Sequence, residues 1–463
     1  MKSYDVVVVG SGAGMMVADA AVNSGLKVAL VEMGKLGGTC LNVGCIPSKM
    51  VLYPADLVQL IASAPALGVK ARVEEVDFQA IMRRTRGFTS HDREAIEEAI
   101  WEVPGLDFYP ERAEFVSDYT LRVGEETIKG ENVFLATGAR PLIPPIEGLG
   151  EVEYLTNDNV WELEERPDSL VIVGGGFVAC EMAHFFQGMG AEVTLLSRSP
   201  RLLKHAEPEI SAMVEESLSQ RMVVETGVEV VEAHRGGEGV VVGTRQGEEY
   251  QAQSLLLATG RKSNADLLHP ERTGVQVDER GYIVVDEAYR TTKPGIWAFG
   301  DAIGKAMYRH VANKEAELCW HAYATGHIHP LDYDQVPYAV YTWPQVASVG
   351  LTEGEAKRRG LNYLVGEYWY SDTAKGAALG QEGYVKVLVG REGARVLGAH
   401  ICGVFAPILI QEVINAMNTG DHSLHHVREA LHIHPALPEV VQRAFYNLRE
   451  PGEREKIGPP GGP

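Results

Sequence analysis

Asp5-Val6-Val7-Val8-Val9-Gly10-Ser11-Gly12-Ala13-Gly14 opens the chain with a continuous apolar run that ends among glycines. Such a run reads as a strand buried on both faces, the kind found in parallel sheets covered by helices. A helical pattern follows, and then a second strand, Lys27-Val28-Ala29-Leu30-Val31-Glu32. A glycine turn between strand and helix lets phosphate oxygens approach backbone N–H groups at the positive end of the helix dipole. Gly10 suits the tight turn and Gly12 the close approach of a pyrophosphate, while Glu32 can accept a hydrogen bond from a ribose hydroxyl. The third glycine of this pattern falls on Met15, with Gly14 one residue early. That predicts looser packing of helix on strand but leaves the phosphate contact intact.

The same grammar returns further on. Ser169-Leu170-Val171-Ile172-Val173 runs into Gly174-Gly175-Gly176, a helical stretch follows, and Glu192-Val193-Thr194-Leu195-Leu196 is the next strand. A second echo pairs Phe134-Leu135-Ala136-Thr137-Gly138 with Leu256-Leu257-Ala258-Thr259-Gly260. Two dinucleotide-binding βαβ units in one chain follow from this, joined by the proline-rich run Pro141-Leu142-Ile143-Pro144-Pro145. In the second unit Gly174 and Gly176 fit the turn and Ala179 takes the third position. The position equivalent to Glu32 is Ser197, followed by Arg198, Arg201 and Lys204. Removing the acid and adding cations suits the 2′-phosphate of NADP(H) better than the free hydroxyl of NAD(H). Beyond about residue 333 the pattern changes to strands with turn glycines and then helices, an α+β domain. Residues 451–463 read as a disordered, Gly/Pro-rich tail.

A chain of 463 residues suggests about three domains. The formal charge of −21 argues against nucleic acid and anionic membranes as partners. No run of about 18 apolar residues is read as spanning a bilayer. The first residues lack the pattern of a secretory signal, and five cysteines is cytosolic usage, so a cytoplasmic protein is expected. Cys180, Cys319 and Cys402 read as buried apolar residues.

Cys40 and Cys45 stand apart, within Gly37-Gly38-Thr39-Cys40-Leu41-Asn42-Val43-Gly44-Cys45-Ile46-Pro47-Ser48-Lys49. On a regular helix their Cα atoms would be about 8.7 Å apart, whereas disulfides rarely exceed about 6.8 Å. A bridge therefore needs a distorted helix start, and strain of that kind favours a readily reduced, catalytic pair. No further Cys/His pair with zinc spacing stands out, and no metal site is expected.

The Gly38–Lys49 stretch resembles the redox motif of the two-cysteine flavoprotein disulfide reductases, which include dihydrolipoamide dehydrogenase, glutathione reductase, mercuric reductase and mycothione reductase. The likeness runs in order through both glycine turns, the Ala136-Thr137-Gly138 segment and Gly295-Ile296-Trp297-Ala298-Phe299-Gly300-Asp301. It implies an α/β fold with two Rossmann-like domains and a C-terminal α+β dimerisation domain. The expected boundaries are 1–148 and 264–333 for FAD, 149–263 for NAD(P) and 334–450 for the interface. The resemblance implies FAD on Gly10, Gly12, Gly14, Glu32, Thr39, Ala136, Thr137, Gly138, Gly300 and Asp301. It implies NAD(P) on Gly174, Gly176, Phe177, Ala179, Glu181, Ser197, Arg198, Lys204 and Gly260, with Phe177 gating the nicotinamide pocket.

Cys45 then matches the cysteine beside the flavin, Cys40 the one that exchanges with substrate, and Lys49 with Glu181 an ion pair near the flavin. Thiol–disulfide exchange needs a thiolate and a group to manage its proton. In His432-Ile433-His434-Pro435-Ala436-Leu437-Pro438-Glu439, His434 and Glu439 match the family's acid–base pair, and His432 reads as structural. In the family that pair serves the other subunit, which implies a homodimer with shared active sites. The substrate implied is a small thiol or disulfide, with mycothione reductase and dihydrolipoamide dehydrogenase the nearest likenesses. A mercuric-type metal reductase, or a redox-inactive flavoprotein serving as a binding module, is the alternative.

Overall fold

The computed structural model describes residues 1–237 and 239–453; of the expected tail 451–463, residues 454–463 lie outside the described residues. Strand β1 (Lys2–Val9) leads into helix α1 (Gly14–Asn23) and strand β2 (Val28–Val31), and the two strands pair in parallel. Val6 to Val9 and Val28 to Val31 are all buried, which is why both strands read as unbroken apolar runs. After α2 (Gly38–Asn42), α3 (Cys45–Ser63) and α4 (Phe78–Ile100), strand β3 (Leu106–Tyr109) adds to the outer edge of β2. Strands β4 (Ala113–Ser117), β5 (Thr120–Val123) and β6 (Glu126–Leu135) follow, and β6 returns beside β1 in parallel. The sheet order is β3-β2-β1-β6-β5-β4.

Strand β7 (Ala139–Pro141) leads into the expected linker. The second unit holds β8 (Ser169–Val173), α5 (Phe177–Gly188), β9 (Glu192–Ser197), α6 (Pro208–Ser219) and β10 (Val223–Thr226). An antiparallel ribbon of β11 (Val230–Gly236), β12 (Gly239–Thr244) and β13 (Glu249–Ala252) precedes β14 (Ser254–Leu257), which completes the parallel order β10-β9-β8-β14. Strand β15 (Arg261–Ser263) pairs antiparallel with β7, so the two passages between the units run as a small ladder. Strand β16 (Ile296–Ala298) then rejoins the first sheet beside β6, and α7 (Arg309–Thr325) packs on α1.

The C-terminal part is a six-stranded antiparallel sheet in the order β17-β18-β21-β20-β19-β22, built from β17 (Tyr338–Val340), β18 (Val346–Gly350), β19 (Tyr363–Trp369), β20 (Tyr384–Gly390), β21 (Val396–Cys402) and β22 (Leu448–Arg449). Helices Ala406–Met417 and Glu439–Tyr446 pack on it.

One expectation needs correcting. Gly38–Leu67 contains an 18-residue window of mean hydropathy 1.4, long and apolar enough by composition to cross a bilayer. The run is split at Val43 and Gly44 into α2 and α3. One face of α3, through Val51, Leu52 and Ala55, is buried against α5 and α4, and Gly188 of α5 approaches Ala55 closely. Tyr53, Leu57 and Leu60 on α3 are exposed in the single chain.

Candidate active site

The break in the helix lies between the two cysteines. Cys40 is in α2, Val43 and Gly44 leave helical geometry, and Cys45 is the first residue of α3. A side chain on Gly44 would come within 2.9 Å of the Thr39 carbonyl oxygen and 3.3 Å of the Cys40 Cα, so only glycine lets the chain fold back this tightly. Both thiols are free and hydrogen-bonded to each other. The bond from Cys40 and the Lys49 ammonium hold the Cys45 thiol down to about 7, against the effect of its burial. A thiol at the first position of a 19-residue helix also faces the positive end of the dipole. Cys40 is pushed well up by the same hydrogen bond and by burial, with Arg309 opposing. The pair is therefore divided into one thiolate and one thiol.

One turn along α3, Lys49 Nζ donates to both oxygens of Glu181 at 2.9 Å. Glu181 is nearly buried on α5 and also accepts the Tyr341 backbone N–H at 2.9 Å, and the ammonium lies 4.5 Å from the Tyr341 ring centroid.

Both cysteines, the ion pair and both glycine turns line one cavity of about 2150 Å³. That exceeds the roughly 300–1,000 Å³ of an ordinary ligand pocket and leaves room for two dinucleotides. At the first turn Gly10 has φ +107°, and a Cβ there would collide with the Ala136 carbonyl. Glu32 lies at the end of β2, where one oxygen accepts the Ser11 N–H and hydroxyl, each at 2.8 Å, and the other the Gly34 N–H at 2.8 Å. Thr39, Ala136, Thr137, Gly138, Gly300 and Asp301 line the same end. Burial raises the Asp301 carboxyl while Arg261 and Arg309 draw it back. Thr137 Oγ1 is buried without a partner. A glycine cradle, an unpartnered buried hydroxyl and a cavity-lining carboxylate at the strand end fit a dinucleotide such as FAD.

Gly14 is a correction. It does not line the cavity but starts α1, where a Cβ would come within 2.9 Å of Val8 Cγ1 and 3.0 Å of the Ala136 Cβ. It does the close helix–strand packing that the Met15 departure was expected to loosen. Ala179 likewise stands behind its turn, fully buried and away from the cavity.

At the second turn Gly174 has φ +144° and a Cβ would meet the Ala258 carbonyl. Phe177 is exposed at the cavity wall and contacts Tyr308, whose ring stacks on Tyr338. Ser197, Arg198, Lys204 and Gly260 line this end. Arg201 does not: its guanidinium donates to the Lys204 carbonyl at 2.8 Å and shapes the loop. His205, unnoticed in the sequence, also lines the cavity; partial burial and the Lys204 charge hold its imidazole below the usual range. Arg309, Tyr308 and Tyr341 were missed too, because they are distant in sequence and sit in no motif; Tyr308 and Arg309 had a signal in the run Met307-Tyr308-Arg309-His310 after Asp301, and Tyr341 had none.

His434 Nδ1 and Glu439 Oε1 are 2.9 Å apart, and Glu439 Oε2 accepts the Ala436 N–H at 3.1 Å. The imidazole and that N–H hold the Glu439 carboxyl below its usual range. His434 is 73% exposed, and neither residue lines the cavity of its own chain. Leu431 and Ile433 beside it are also exposed. His432 is half-buried and lies between Glu412 and the Ala430 carbonyl, each at 3.0 Å.

Two family models match: "Pyridine nucleotide-disulphide oxidoreductase" over residues 4–316, and the dimerisation domain of the same name over 336–445. Mycothione reductase of Mycobacterium tuberculosis is 38% identical over 97% of this chain and 100% of its own length. Dihydrolipoyl dehydrogenase 3 of Haloarcula marismortui is 31% identical over 97% of each. Mercuric reductase of Staphylococcus aureus is 32% identical over 90% of this chain and 77% of its own. Among solved structures, the Cu(II) complex of the flavoprotein disulfide reductase RclA from Escherichia coli superposes with a TM-score of 0.86 at 27% identity, covering 96% of this chain and 99% of that one. The chain belongs to the pyridine nucleotide-disulphide oxidoreductases and is an FAD-dependent, NAD(P)H-linked flavoprotein disulfide reductase.

Proposed function

We propose that this chain uses NADPH to reduce a small disulfide of the mycothione class, as a cytoplasmic homodimer whose active sites each draw on both subunits. The observation that carries the reading is one cavity holding both glycine turns, a divided Cys40–Cys45 pair and the Lys49–Glu181 ion pair. Residues 1–148 and 264–333 form the FAD unit on this reading, 149–263 the nucleotide unit and 334–450 the interface. Gly10, Gly12, Glu32, Thr39, Ala136, Thr137, Gly138, Gly300 and Asp301 would hold FAD, with Gly14 packing behind them. Bound FAD supplies the two-electron carrier between nicotinamide and dithiol. Gly174, Gly176 and Gly260 would take the nucleotide's pyrophosphate end, with Phe177 and Glu181 at the nicotinamide and Ala179 packing behind.

The partner subunit's His434 takes the Cys40 proton, its Nδ1 fixed by Glu439. The Cys40 thiolate attacks one sulfur of the substrate, forming a mixed disulfide and expelling a thiolate that recovers that proton. The Cys45 thiolate then attacks the Cys40 sulfur, closing the Cys40–Cys45 disulfide and releasing the second thiolate.

A shared site is supported by the exposure of His434, Leu431 and Ile433 and of Tyr53, Leu57 and Leu60 on α3. NADP(H) is supported by Ser197 where an acid would bind NAD, and by Arg198, Lys204 and His205 at that end. Full-length likeness to mycothione reductase supports the substrate class. Sparse cysteine usage supports the cytoplasm. The test is a steady-state panel of NADH and NADPH against mycothione, glutathione disulfide and lipoamide. The highest kcat/KM should fall on NADPH with mycothione. A preference for NADH with lipoamide overturns this in favour of dihydrolipoyl oxidation.

A further inference from the structure

The loop after β9 ends in a buried ion cluster that the chemistry above does not use. Lys386, in the middle of β20, is 1% exposed. Its Nζ lies 3.0 Å from Glu207, 3.3 Å from Glu209 and 2.7 Å from Glu353. Glu207 is equally buried, and its second oxygen accepts the Glu353 N–H at 2.6 Å and lies 3.7 Å from His400 Nε2. His400 is itself bound to the Leu351 carbonyl at 2.9 Å. An ammonium this far from water persists only with close carboxylates, and removing a partner leaves a costly unpaired charge.

The position of Glu207 gives the cluster its meaning. It immediately follows His205 and Ala206 and precedes α6. The loop is also tied at Leu203, whose N–H donates to the Gly175 carbonyl of the second glycine turn at 2.7 Å. Leu203 adopts φ +46°, left-handed backbone that a non-glycine residue keeps only when its surroundings hold it there. Arg201 closes the loop onto the Lys204 carbonyl. The arc carrying Arg198, Lys204 and His205 is thus fastened to the glycine turn at one point and to the C-terminal sheet at its far end.

We propose that Lys386, acting through Glu207, is a positioning residue for nucleotide discrimination: the C-terminal sheet holds the cationic arc 198–206 where a 2′-phosphate would sit. This rests on the NADP(H) reading above. A guanidinium or ammonium displaced by even about an ångström loses much of a phosphate contact, while the pyrophosphate and nicotinamide contacts are made elsewhere.

The experiment compares the holoenzyme with Lys386→Met and Glu207→Gln. The second variant leaves Lys386 its contacts with Glu209 and Glu353 and serves if the first does not fold. The KM for NADPH should rise about tenfold, with KM for NADH and both kcat values within about twofold. Amide exchange over residues 202–206 should quicken in the same samples. Unchanged exchange, or an unchanged NADPH-to-NADH ratio in a folded variant, overturns the proposal. Arg198→Glu run in parallel separates the two ideas. If it leaves the ratio untouched, the cofactor reading falls and nucleotide discrimination by Lys386 falls with it, whereas a shifted ratio there beside an unshifted one in Lys386→Met removes the anchor alone.

Discussion

Replacing Cys40 with alanine should raise the titration midpoint of Cys45. The Cys45 thiol is held down from an ordinary value of 9.0 to about 7, and the largest cause is the hydrogen bond from Cys40, followed in the same direction by the Lys49 charge. A hydrogen bond to a charged group contributes about 1.5–3 kcal/mol, which at about 1.36 kcal/mol per pKa unit is about one to two units. Cys45 is open to the cavity, so solvent screening favours the lower end, about one unit. The thiolate fraction at pH 7 should then fall from about half to about a tenth. The assay is a pH titration of the long-wavelength thiolate–flavin band in the holoenzyme. Cys40→Ser, which keeps a donor, should stay closer to the native midpoint. A midpoint in Cys40→Ala that stays at about 7 or moves down would refute the division of the pair into thiolate and thiol.

Glu439→Gln should lower kcat for disulfide reduction by about 10², with anaerobic reduction of the enzyme by NADPH unchanged, because a neutral amide at His434 Nδ1 no longer stabilises the imidazolium charge as the carboxylate does. Gly10→Ala should purify largely free of FAD, since its backbone at φ +107° and the Ala136 carbonyl leave no space for a methyl group; full flavin occupancy would contradict the cradle. Glu315 is fully buried beneath the Gly300 turn, accepting the Gly300 N–H at 2.6 Å and the Tyr333 hydroxyl at 2.5 Å, and burial pushes its carboxyl from 4.5 up to about 7. The folded state then holds a proton that the unfolded state releases, so this group's contribution to stability is present at low pH and lost as pH rises from about 4.5 through about 7. Glu315→Gln should flatten the fall of Tm across that window, and an unaltered profile would remove the argument.

The repeated strand–glycine–helix pattern made both nucleotide units legible, because a doubly covered parallel strand must be apolar throughout and its turn must be glycine. Cys40 and Cys45 were legible for a related reason: a bridge across their spacing fits no regular helix, so a redox pair there called for a break between them. What stayed hidden depends on packing between distant segments. Gly14 was assigned to the cofactor because spacing cannot tell a turn glycine from one that lets a helix touch its strand. Arg309 and His205 reach the cavity from loops whose course is set by contacts far away in sequence, and the ribbon of β11 to β13 lacks the long apolar runs that announce parallel strands. The apolar run of α2 and α3 escaped notice because scattered polar residues interrupt it.

The interruption at Gly44 assigns the two sulfurs to separate rigid bodies. Cys45 and Lys49 ride together on one helical cylinder, so their mutual orientation is set by α3 alone, whereas the distance to Cys40 depends on the number of residues in the bend. Deleting one residue there would turn the cylinder by about 100° relative to α2 and swing the ammonium away from Glu181 along with the sulfur. The segment is therefore intolerant of any change in length, a torsional constraint set by the backbone and not by any one side chain.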